Sequence, residues 1–192
     1  MNNQIQNPEI LFRAKTVEAK NIEGGVWVEG QYIQDVSRRN SESFGEFAHK
    51  IQPLHYEQAF AYPIDLTTLC QHLMLNDANE QKIYRGDILG LEITEELMKT
   101  SFSNSNLGKA VNERGVTRVL LYFKHDTKHI NARYEIYFEI DGKLTSDEDG
   151  DVNVEAIGDD MNFPIYFITK GAIVVGNIFD NPELLKAGES NE

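Results

Sequence analysis

The segment Val174-Val175-Gly176-Asn177-Ile178-Phe179-Asp180-Asn181-Pro182-Glu183-Leu184-Leu185 constrains the fold most, because an apolar strand runs straight into the signals of a helical turn. Ala172 to Phe179 is apolar almost throughout and rich in β-branched residues, the composition of a strand buried on both faces. Gly176 interrupts it. A glycine inside a strand gives up packing and backbone entropy, so this one predicts a bulge or the close approach of another backbone. Asn181 is expected to cap the turn, and Pro182 suits the first helical position, where its missing N–H would have been unpaired anyway. Glu183 complements the positive helix end, and Leu184 and Leu185 are expected to fold back onto the sheet.

A chain of 192 residues fits one domain or two small lobes, and it can bury a core without metals or disulfides. No stretch approaches the roughly 20 apolar residues of a membrane span, and Met1 to Glu9 is polar, unlike a secretory signal. The expectation is a cytoplasmic protein. The single cysteine, Cys70, has no intrachain partner for a disulfide and reads as a small core residue. Lysine and arginine number 18 against 31 aspartate and glutamate, a formal charge of -13 that repels a phosphate backbone. Direct nucleic-acid binding is therefore not expected. The charge suits solubility, and it suits attraction to a basic partner, including a protein that normally holds DNA or RNA.

Between polar tails at 1–9 and 187–192, the chain is mainly β. Ile10 to Lys15 and Val26 to Ile33 read as neighbouring strands, the second entered through Gly24-Gly25. Asp35 to His55 is polar and mixed in periodicity, which predicts a loop or an irregular excursion between strands. Leu66, Leu69, Leu73 and Met74 fit a short helix, and Asn76-Asp77-Ala78-Asn79 supplies a turn through side chains that hydrogen-bond their own backbone. Lys82 to Leu89 places apolar pairs on each side of a turn centred on Gly86. The composition becomes helical over about 92–115, with Thr94 as an N-cap before Glu95 and Glu96. Strands resume at Val116 to Phe123 and at Tyr134 to Ile140, where Tyr134, Ile136, Phe138 and Ile140 alternate with Glu135, Tyr137 and Glu139. Asp141-Gly142 then makes a turn.

Three of these segments carry a resemblance. Phe12, Arg13, Lys15, Gly25, Trp27, Val28 and Gly30 at the start, Lys82 to Leu89 in the middle, and the terminal segment together resemble the YopX family of small phage and prophage proteins. The resemblance spans Leu11 to Leu185 and implies a single YopX-like domain over 10–186, mainly β, with compact barrel- or sandwich-like lobes. It implies an extended chain where Leu66 to Leu75 fits a helix. The chain departs from the family just before Lys82, where Cys70, His72 and Met74 stand in a stretch that usually holds small residues and glycine.

The candidate chemistry is sparse. The acidic run Asp147-Glu148-Asp149-Gly150-Asp151 offers Asp147, Asp149 and Asp151 as oxygen ligands for a hard cation. Aligned on Gly150 as the turn glycine of a calcium loop, however, it puts Thr145 where the first aspartate belongs and Ala156 where the bidentate glutamate belongs. His125 and His129 share a face only on a helix, and no glutamate lies between them in the zinc-protease arrangement. Neither a nucleophile turn nor a phosphate-binding glycine loop is present. Trp27, Tyr32, Tyr84 and Arg85 are the candidates for a partner-binding patch of aromatic and arginine side chains. The expectation is a non-catalytic interaction protein of a mobile element in the bacterial cytoplasm, binding a protein partner or further copies of itself, without a cofactor. The alternatives are a metal-dependent hydrolase or metal-binding module on Asp147 to Asp151, and an acidic mimic of nucleic acid.

Overall fold

The computed structural model describes residues 10–18, 22–34, 49–54, 61–99, 113, 115–125, 134–146 and 162–186. The two expected tails lie outside these residues. The chain divides into two compact units, Met1–His72 and Leu73–Glu192. Both are built from antiparallel sheet with few short helices, as the mainly β expectation requires.

The first unit contains β1 (Phe12–Lys15), β2 (Trp27–Gln34), β3 (His49–Gln52), β4 (Tyr62–Pro63) and the start of β5 (Cys70–Asn76), in the order β4-β3-β2-β1-β5. The register pairs Ala14 with Val28 and Arg13 with Glu29. Because side chains alternate across a strand, this register sends two different chemistries to the two faces. Ala14, Ile51 and Ile64 form a buried core with Phe12, Val28, Tyr32 and Leu69 packed against it. The polar partners Arg13, Lys15 and Glu29 go to the other face with Trp27. Gly30 is required where β2 meets the end of β3, since a Cβ there would overlap the Gln52 carbonyl and lie 2.8 Å from Pro53 Cα.

Two local readings give way to tertiary pairing. His49–Gln52, expected as loop, is a strand, because β2 supplies the ladder and Ile51 fills the core although its neighbours are polar. The helix fitted to Leu66 through Met74 shrinks to one 3-10 turn at Leu66–Thr68, capped by Asp65 Oδ1 accepting from Thr67 N at 2.9 Å. The chain then runs extended as β5, paired to β1 through Arg13 and Cys70, in line with the extended chain the resemblance implies.

The second unit holds β6 (Lys82–Tyr84), β7 (Asp87–Glu92), β8 (Val116–Phe123), β9 (Tyr134–Ile140), β10 (Lys143–Ser146) and β11 (Ile173–Asn177), with helices α1 (Glu95–Leu97) and α2 (Asn162–Thr169). Five strands form one sheet in the order β10-β9-β8-β7-β11. Leu89, Leu91, Val119, Leu121, Phe123, Ile136 and Phe138 make its buried face, closed by Ile83, Phe167 and Ala172. The alternation expected in β9 holds: Ile136 and Phe138 are buried, and Tyr137 bonds Glu135. Asp141 and Gly142, with φ of 51° and 74°, form the two-residue hairpin turn whose twist matches the strands it joins. Thr94 caps α1 as expected, accepting from Leu97 N at 3.2 Å. Glu92 belongs to β7, not to the helical stretch, and 100–112 lies outside the described residues.

The terminal segment differs in part from its sequence reading. β11 lies at the sheet's edge and is half-buried throughout, where its composition predicts burial on both faces; a terminal strand has a neighbour on one side only. The expected bulge falls between Val174 and Gly176. Beyond β11 the chain forms a 3-10 turn, Pro182–Leu185, without a side-chain cap, because the Asn181 oxygen turns back to accept from Asn177 N at 3.4 Å. Leu184 folds back as expected: its Cδ1 lies 2.8 Å from where a Gly176 Cβ would be.

Candidate functional site

The turn between β6 and β7 is where two of the family-like motifs meet. Gly86, at φ 87°, lets the chain reverse within Arg85-Gly86. Asp87 then points back, its Oδ2 accepting from Tyr84 N at 2.8 Å. The turn is also stitched to distant segments: Gly86 N donates to Phe123 O at 2.7 Å, and Ile178 N donates to Gly86 O at 2.9 Å. The register of β7 against β11 continues this contact through Asp87 and Asn177. Lys82 to Leu89 and Val174 to Leu185 are therefore one structural feature.

A second polar centre sits beside it. Asp77, buried at 5% exposure, accepts from Asn79 N at 2.8 Å and Gln81 N at 2.9 Å through Oδ1, and from Val174 N at 2.8 Å through Oδ2. The local half of this arrangement is the turn expected from Asn76 to Asn79. Its long-range half joins residues 97 apart in sequence, and nothing in the local pattern signals it.

Of the interface candidates, Tyr84 is 2% and Arg85 7% exposed, so both are buried. Trp27 and Tyr32 are an odd number of residues apart on β2 and face opposite ways. Trp27 receives two cations, the Arg13 guanidinium 4.8 Å and the Lys15 ammonium 5.5 Å from its ring centre. Tyr32 faces the core, stacked on His49 at 5.9 Å with its hydroxyl 2.6 Å from His49 Nδ1. Burial raises the Tyr32 phenol above its ordinary pKa. Nothing in the sequence announces this pair, because His49 falls within an apparent loop. The aromatic patch is thus split: Trp27 keeps cationic company and Tyr32 keeps core company.

Cys70 is buried and donates to Thr68 O at 3.2 Å, as a core residue should. His125 packs edge-on against Phe179 with ring centres 5.0 Å apart. His129 and the cation candidates Asp147, Asp149 and Asp151 lie outside the described residues, and among the described residues no group of three potential metal ligands converges.

A family model described as YopX protein matches residues 11–186. The chain belongs to the YopX family. No curated protein and no solved structure matches it. Within this YopX chain the motifs that resemble the family do folding work, as tight turn, strand bulge and core-facing strand pair.

Proposed function

We propose that this YopX protein is a non-catalytic protein-interaction module of a phage or other mobile element, acting on a basic partner in the bacterial cytoplasm. The observation that supports this reading is the distribution of its acids. Asp77 and Asp87 are buried and taken up by backbone N–H groups. By contrast, the sequence from 147 to 160 carries Asp147, Glu148, Asp149, Asp151, Glu155, Asp159 and Asp160 with no lysine or arginine among them. Such a block attracts a cationic surface and repels phosphate. Mimicry of nucleic acid is the special case in which the partner normally holds DNA or RNA.

Capture from a host lysate at low and raised salt tests the proposal, because attraction between exposed charges is screened over about 10 Å at 0.1 M salt. A partner released by salt supports the reading, and retention unchanged by salt overturns it. Metal binding by Asp147, Asp149 and Asp151 is the competing use of the same block. Calorimetry with calcium, magnesium and manganese separates the two: heat abolished by Asp149→Asn would favour the metal.

A further inference from the structure

We draw no further inference here: the strongest candidate, the side-chain cluster of Arg13, Lys15 and Trp27 on the face of β1 and β2 turned away from the first unit's core, carries nothing because both cations are already engaged with the indole and nothing in the structure shows what covers that face.

Discussion

Replacing Asp77 by asparagine keeps the size of the side chain and changes only what it offers the three N–H groups aimed at it. The amide oxygen can still accept from Asn79 N and Gln81 N, now without charge. Its NH2 group then faces Val174 N, donor against donor, in place of a 2.8 Å charge-assisted bond. Bonds to charged groups contribute about 1.5–3 kcal/mol and neutral ones about 0.5–1.5. Asp77→Asn should therefore cost about 2–3 kcal/mol, most of it at Val174. Asp77→Ala removes all three hydrogen bonds, but Asn79 and Gln81 are exposed and water can serve their N–H groups. Its cost should be about 3–4 kcal/mol, only modestly more. Urea unfolding gives both values, and amide exchange at Val174 should speed up in both variants. If Asp77→Asn stays within about 0.5 kcal/mol of the parent with Val174 exchange unchanged, the carboxylate is not what holds β11 to the β5–β6 turn.

Three further outcomes are expected on the same physical grounds. Gly30→Ala drives a Cβ into the Gln52–Pro53 backbone and should cost about 3 kcal/mol or more, whereas the atoms nearest a Gly176→Ala Cβ belong to the side chains of Asn181 and Leu184 and the cost should be about 1–2; equal costs in thermal melts would contradict this distinction. Met74, 55% exposed, sits at φ 60°, where a left-handed residue other than glycine is strained by roughly 1–2 kcal/mol, so Met74→Gly should be more stable than Met74→Ala by about 1 kcal/mol in urea, the reverse of the usual order in a strand. The raised Tyr32 phenol favours the folded state in its neutral form; that contribution is full below the ordinary tyrosine pKa of about 10 and is lost as pH rises through the higher folded value. Tyr32→Phe should accordingly show a shallower alkaline loss of Tm than the parent, while losing about 1 kcal/mol at neutral pH with the His49 bond.

The features legible in the sequence are those the chain states locally. The period-2 pattern of β9, the Asp141-Gly142 turn and the Thr94 cap each depend on neighbours within a few residues, and each appears where its local signals place it. The bulge at Gly176 is legible for the same reason. β3 is not, because one isoleucine among polar residues becomes a strand only when β2 lies beside it. β5 has an apolar spacing compatible with either period, and pairing to β1 decides between them. α2 is masked in the sequence by Pro164 near its start, which suggests a break; yet proline is tolerated in a first helical turn, and Gly171 at φ 100° ends the helix as glycine commonly does. The polar centre at Asp77 is half legible, its turn from the sequence and its grip on Val174 from the fold alone.

The same division bears on where function resides. In the five-stranded sheet several charged side chains are paired: Arg118 lies 3.2 Å from Glu92 and 3.8 Å from Glu139, and Lys124 pairs with Glu135. Asp77 and Asp87 serve the backbone. Opposite charges paired a few ångströms apart project little field beyond a Debye length. The seven acids between 147 and 160 have no such partners within their own stretch, and they alone equal more than half of the chain's net charge. That block is the densest run of unmatched charge in the sequence. The family-like motifs build the scaffold, whereas this acid block takes no part in them.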